Sequence, residues 1–380
     1  MVATEVEMAS IIYAMSGEGR GHATRARVVV EALRGRHQLT LFASACAYDL
    51  LAPRYRGSDI RVVRIPGLHF AYGAPGRVDL VRTLSEAALF RLGLGDYVER
   101  ILPEIDRARP DLVIADFEPI APRAAQRRGV PFVSFDHQHY LVVSDFAGLP
   151  FALRQQARAS APFVEALYDW QRATIVSSFY RVPIKPAHRD TIWVGTLIRP
   201  ELCEVRPERG RHLVAYIRRQ APDETLQALQ ASGREVRLYG LGARPPLGAI
   251  RFLPIDERRF IDDLATCEAV VSTAGNQLVG EALYLRKPLL VMPEAWNFEQ
   301  SVNAHFLERT GAGWAERKPL TPRLLAAFLE AVPALQPRLP PESVCGNAAA
   351  VAAIEAQLGR RPEAHVAQAA PRPLVQGAAA

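Results

Sequence analysis

The segment SIIYAMSGEGRGHATRARVVVEAL, residues 10–33, decides the fold. Ser10 to Met15 is an apolar run of strand length and Ser16 to Gly21 is a glycine-rich turn. From Ala23 to Leu33 the apolar residues Ala26, Val29, Val30 and Leu33 recur at helical spacing. This strand, loop, helix unit then repeats. Leu39 to Ala43, Ile60 to Ile65, Leu112 to Ala115 and Pro131 to Phe135 read as strands; Val81 to Ala108, ending before Pro110, and Pro122 to Arg128 read as helices. Strands separated by helices over about 30 residues predict a parallel sheet with right-handed crossovers.

Beyond this half, Leu149 to Ala173 reads as helix, and Thr174 to Ser178 and Ile192 to Val194 as strands. Arg199 to Arg211, dense in Pro, Glu and Arg, reads as a linker. A second alternation follows, with strands at His212 to Ile217, Glu235 to Tyr239, Ile250 to Phe252, Ala269 to Ser272 and Pro288 to Met292. Helices are expected at Pro222 to Ala231, Asp256 to Ala265, Gln277 to Tyr284 and Glu299 to Arg309. The expected class is therefore α/β, with two Rossmann-like doubly wound domains at 8–190 and 191–358 and a disordered tail rich in Ala, Pro and Gln at 359–380. A length of 380 residues fits two cores better than one.

The composition is 49% hydrophobic and 23% charged, and no apolar stretch approaches the roughly 20 residues of a membrane span. The N-terminus MVATEVEMAS has no basic region before its short apolar run, which predicts a cytoplasmic protein. Cys46, Cys203, Cys267 and Cys345 lie far apart without metal-ligand spacing and read as reduced and structural. The formal charge is +6, and of 46 basic residues only Lys185, Lys287 and Lys318 are lysine. Arginine suits phosphate. The 40 acidic residues are interspersed with it, however, and no basic block with interleaved aromatics appears, so nucleic acid is not the expected partner.

Two loops carry chemistry. In GEGRGH, residues 17–22, the glycines let the backbone approach a ligand and the helix that follows offers unpaired N–H groups to an anion. His22 at the helix start is kept neutral by the dipole and suits a proton acceptor. The loop lacks GK[ST], and its GxGxG spacing is not a dinucleotide fingerprint. In STAGNQ, residues 272–277, a small-residue turn between strand and helix forms a diphosphate seat, with Ser272, Gly275 and Asn276 in the turn. Glu281, one turn further on, has the chemistry to accept from both hydroxyls of a ribose. Glu299 and Gln300 open the next helix on the same carboxyl edge, placed to hold sugar hydroxyls.

These segments resemble a known family. Phe252-Leu-Pro, Ser272-Thr-Ala-Gly-Asn, Glu281-Ala-Leu, Lys287-Pro-Leu-Leu-Val-Met-Pro, Glu299-Gln-Ser-Val-Asn-Ala and Gly311-Ala-Gly are similar to the donor-binding half of GT-B glycosyltransferases. The likeness is to the MurG and monogalactosyldiacylglycerol synthase group and the nearby UDP-sugar transferases, whose first acceptor-side loop GEGRGH also resembles. The resemblance implies a GT-B fold and transfer of a sugar from a nucleotide sugar, UDP-linked, to an acceptor hydroxyl, with inversion and without a bound metal or other cofactor. It implies that Glu281 holds the ribose, that Gly275 and Asn276 lie under the diphosphate, and that Glu299 and Gln300 face the sugar. It further implies that Phe252 and Leu253 offer backbone to the uracil, that Gly19 and Gly21 shape the first loop, and that His22 matches the family histidine, which acts as base or as a local electrostatic aid. Two features depart from the pattern: Ala274-Gly275 replaces Gly-Gly, and Asn276 replaces Ser or Thr.

Several readings stand side by side. Asp116 and Asp136 each end a predicted strand and are alternative bases; Glu118, His137 and His139 are candidate acceptor contacts. Leu68 to Tyr72, Leu89 to Leu94 and Phe146 to Ala157, with Arg82, Arg91, Arg154 and Arg158, form either a rim for a lipid-linked acceptor at the inner membrane face or core-facing helices. A non-hydrolysing UDP-sugar epimerase shares the two-domain frame, and a non-enzymatic nucleotide- or nucleic-acid-binding protein is the other rival.

Overall fold

The computed structural model describes residues 8–73, 78–218, 220–335 and 344–358. Lobe 1 is a seven-stranded sheet, all parallel, of β1 (Ser10–Met15), β2 (Gln38–Ala43), β3 (Arg61–Arg64), β4 (Leu112–Asp116), β5 (Phe132–Asp136), β6 (Thr174–Ser177) and β7 (Ile192–Val194), in the order β3-β2-β1-β4-β5-β6-β7. Its helices are α1 (Gly21–Leu33), α2 (Ala45–Arg54), α3 (Leu80–Ala108), α4 (Ile120–Arg127), α5 (Tyr140–Val143) and α6 (Phe151–Glu165). Every residue of β4 and β5 is buried, as expected for parallel strands covered on both faces.

Lobe 2 follows α7 (Pro200–Glu204). It contains β8 (Leu213–Tyr216), α8 (Asp223–Gln230), β9 (Val236–Tyr239), β10 (Arg244–Leu247), β11 (Ile250–Leu253), α9 (Glu257–Thr266), β12 (Ala269–Ser272) and α10 (Asn276–Tyr284). It continues through β13 (Leu289–Val291), α11 (Phe298–Thr310), β14 (Gly313–Ala315) and α12 (Pro322–Ala331). The strand order is β10-β11-β9-β8-β12-β13-β14, with only β10 antiparallel. Both sheets reverse their order beside the first strand, so the loops at their carboxyl ends open into one crevice between the lobes.

The sequence expectations are corrected at four places. The strand β7 pairs with β6 and belongs to lobe 1, and the last described helix, α13 (Asn347–Leu358), returns to lobe 1. Its Ala350, Ala353 and Ile354 complete the core under α1, and burying Ile354 alone contributes about 1.5–3 kcal/mol. Lobe 2 is therefore an insertion rather than the C-terminal half. The expected helix Leu149 to Ala173 stops at Glu165, because the chain turns to seat Leu167 and Tyr168 against the opposite face of lobe 1. The stretch Arg199 to Arg211 holds α7 and a buried Arg199 rather than open linker. The strand β10 escaped because RPPL has two prolines, which only an exposed edge accepts. The tail 359–380 lies outside the described residues.

The two chain crossings touch. Gly346 N–H donates to Thr196 O at 2.8 Å, and a Cβ on Gly195 or Gly346 would collide with the other crossing's backbone. Asn347 exchanges two hydrogen bonds with the Ile198 backbone, at 2.8 and 2.7 Å.

Candidate active site

A cavity of about 520 Å³ lies between the lobes, lined by the loop before α1, by the starts of α10 and α11, and by apolar side chains of α3 and α6. The N-termini of α1 and α10 meet across it, close enough that a Cβ added to Gly21 would stand 3.6 Å from Gln277 Cβ. No side chain caps either end, and neither first turn carries an acid. Two bare, electropositive helix ends thus face one space.

His22, the second residue of α1, lines this cavity while only 6% exposed. Its Nδ1 lies 2.7 Å from Oδ1 of Asp116, the fully buried last residue of β4. An ionised carboxylate only accepts, so Nδ1–H donates and Nε2 is left as the basic nitrogen. Burial alone would push the Asp116 carboxyl up, but Arg25 and His22 outweigh it and hold the group below the usual carboxylate range. Phe117, stacked on the His22 ring at 6.3 Å, takes a left-handed φ of 54°, a strain that turns the chain away directly after Asp116.

Asp116 is therefore the partner of His22 and not a rival base. Asp136 does not reach the cavity either. It is fully buried, accepts from His139 N–H at 2.8 Å and pairs with His139 Nδ1 at 2.7 Å; despite burial, His139 brings its carboxyl down to about 2. Glu118, a candidate acceptor contact, instead caps α4 by accepting from the N–H groups of Ile120 and Ala121, and burial pushes it up to about 7. His137 does line the cavity. Its Nδ1 is 3.0 Å from Ser177 O and its Nε2 3.0 Å from Asn303 Oδ1 on α11, so the ring sits between the lobes.

From lobe 2, Gly275, Asn276, Glu281, Glu299 and Gln300 all line the cavity, as Gly19 and Gly21 do from lobe 1. Their side chains are already engaged. Asn276 reaches across to Ser177 O and Phe179 N–H in lobe 1. Glu281, 2% exposed, accepts from Arg199 Nε at 2.9 Å and Nη2 at 2.7 Å, and from Gln277 at 3.0 Å. Glu299 accepts from Gln138 of lobe 1 at 3.0 Å, while Gln300 is tied to Glu294 through both ends of its amide. Ser272, Phe252 and Leu253 are not on the wall: they are buried at strand ends, and Thr273 and Ile255, further along each loop, take their places.

Sequence reasoning missed the arginines. Arg25 holds Asp116, Arg199 holds Glu281, and Arg218 pairs with Glu294 of its own lobe at 3.0 Å while crossing the cleft to Tyr72 OH at 3.1 Å and Glu18 at 3.4 Å. Two signals were available: Arg25 stands three residues after His22, hence on the same helix face, and Arg218 lies just beyond β8 at the carboxyl edge. Among the described residues, no group of three or more His, Cys, Asp or Glu side chains is arranged to hold a metal ion, and no helix is long and apolar enough to cross a membrane.

Residues 9–333 match the family described as Glycosyl transferase family 1. The chain belongs to this family. A relative described as an uncharacterized glycosyltransferase of Methanosarcina mazei is 23% identical over 330 residues, which is 80% of this chain and 84% of that protein. Among solved structures, the calicheamicin glycosyltransferase CalG4 superposes with a TM-score of 0.58 at 21% identity, over 93% of this chain and 99% of that one. LpCGTa in complex with UDP gives 0.60 at 15% identity (93% and 100%), and the spinosyn rhamnosyltransferase SpnG complexed with thymidine diphosphate gives 0.58 at 16% (91% and 99%). The fold is GT-B and the protein is a glycosyltransferase, which sets the epimerase and non-enzymatic readings aside.

Proposed function

We propose that this glycosyltransferase moves a sugar from a nucleoside diphosphate, UDP in the first instance, to a hydroxyl of an apolar acceptor with inversion at the anomeric carbon. The observation that carries the reading is the pair of bare helix ends of α1 and α10 facing one cavity beside the His22–Asp116 dyad. The diphosphate lies between the two helix ends, whose unpaired N–H groups offset the charge of the leaving group without a metal ion. Glu281 accepts one ribose hydroxyl on Oε2, the oxygen that Gln277 leaves free, and Glu299 faces the sugar. As the acceptor oxygen bonds to the anomeric carbon, its proton passes to His22 Nε2 and the electrons of the breaking C–O bond leave with the diphosphate.

The acceptor side of the cavity is apolar, with Leu51, Phe70, Leu84, Leu141, Phe163 and Trp296 on its wall. Outside it, Val81 and Leu92 of α3 are 78% and 84% exposed, and Leu89 and Phe151 are exposed with them, beside Arg82 and Arg154. The C-terminal half of α3 packs into the core, so the two readings of these stretches divide the helix between them. We place the exposed half against the cytoplasmic face of an anionic membrane that holds the acceptor.

Donor binding is tested by thermal shift with UDP and TDP; no rise in melting temperature with either removes the reading. For the surface, Leu89→Ser with Leu92→Ser is expected to abolish co-sedimentation with phosphatidylglycerol vesicles while leaving UDP binding intact.

A further inference from the structure

We propose that Arg25 is a positioning residue of the transfer reaction, acting through Asp116 on His22; the inference rests on the reading of His22 as base. Arg25 is 3% exposed, one turn after His22 on α1. Its Nε donates to Asp116 Oδ2 at 2.9 Å and its Nη2 to Oδ1 at 2.5 Å, the same oxygen that takes the His22 proton. Tyr13 OH also donates to Oδ2, at 3.1 Å. Every direction in which the carboxylate could turn is thus occupied, and the imidazole is offered one fixed acceptor.

The second effect is electrostatic. Arg25 Nη2 stands 3.0 Å from His22 Nδ1, too close to a ring already donating to Asp116 for a second bond there, but close enough for the guanidinium charge to oppose a proton on the ring. A dyad with Asp116 alone would hold that proton more firmly; Arg25 takes up part of the carboxylate's charge and so weakens that hold. The ionisable groups around the pair include Asp116 at the end of β4, Tyr13 on β1, and Asp136 and His137 at the end of β5, and across the cavity α10 presents Glu281, itself paired with Arg199.

The sign of the test follows. A base works when unprotonated, so the rate rises with pH through its ionisation. Removing the cation and keeping the carboxylate favours the protonated ring and moves that rise upward. Arg25→Gln is expected to shift the acid limb of the kcat/KM profile up by about one pH unit or more, with the Kd for UDP unchanged. Arg25→Lys keeps the charge but not the two-point grip; the limb is expected to stay and kcat to fall about tenfold at all pH.

If Arg25→Gln does not fold, Arg25→Met with Asp116→Asn removes both charges, and its acid limb should fall below the position that Arg25→Gln would give, at or near that of the parent. An unmoved limb in Arg25→Gln together with parental kcat in Arg25→Lys overturns the proposal, as does an acid limb of the double variant well above the parent's. If His22→Ala turns over like the parent, it is the assignment of the base that fails, and the two failures are told apart by that one variant.

Discussion

Two carboxylates at this site are each gripped by an arginine, and they differ in what the arginine is anchored to. Asp116 and Arg25 both belong to lobe 1, on β4 and α1, and share the carboxylate with His22. Glu281 belongs to α10 of lobe 2, but Arg199 lies on the crossing between the lobes, stacks over Phe260 at 5.6 Å and also reaches Glu257. The first grip is internal to lobe 1 and, in the proposed mechanism, serves proton transfer. The second ties α10 of lobe 2 to the crossing between the lobes. The same pairing thus has a chemical part in the proposal and a mechanical one in the fold.

Glu281→Ala should separate the two most sharply. It leaves the buried Arg199 without its main partner and is expected to cost about 3–5 kcal/mol in urea unfolding, most of it recovered by Arg199→Met with Glu281→Leu. His22→Ala touches only the chemical side: turnover falls on the order of 10² to 10⁴, while the UDP-induced melting shift persists. A loss of that shift would join the two grips into one unit and end the contrast.

Gly280→Ala probes the mechanical side more gently. A Cβ there collides with the Thr196 side chain on the crossing, its Cβ included, so a loss of about 1–3 kcal/mol is expected, relieved by Thr196→Gly and not by Thr196→Ser.

The remaining effects are in pH. An unfolded Asp136 binds its proton below 3.8 and the folded one only near 2, so its stabilisation is complete above pH 4 and fades as pH falls towards 2. Glu118 runs the other way. The folded chain keeps that proton up to about 7 against 4.5 when unfolded, so stability declines as pH rises through this window. Glu118→Gln should flatten the melting temperature between pH 5 and 7, and an unchanged slope there would count against the burial of this carboxyl.

The fold was legible because parallel strands buried on both faces read as plain apolar runs, as in LVIAD at 112–116 and AVVS at 269–272. His22, Gly275 and Glu281 were legible because strand ends and helix starts in an α/β sheet adjoin the crevice. Their partners were not. Pairing between Asp116 and His22, 94 positions apart, or between Arg199 and Glu281, 82 apart, is set by how strands are ordered in space, and no local pattern encodes it. The return of α13 to lobe 1 escaped for the same reason: an alanine-rich helix shows no preference for one core over another until the chain's path is known.

The contact between Thr196 and Gly346 has an evolutionary and practical corollary. The 150 or so positions between these two points leave and rejoin their host within a single hydrogen bond of each other, as a domain inserted into a loop would. Cutting and splicing at just those two places would exchange the whole guest module for that of another family member, provided the newcomer also matches the apolar seam where Tyr180 stacks on Phe306 at 4.1 Å.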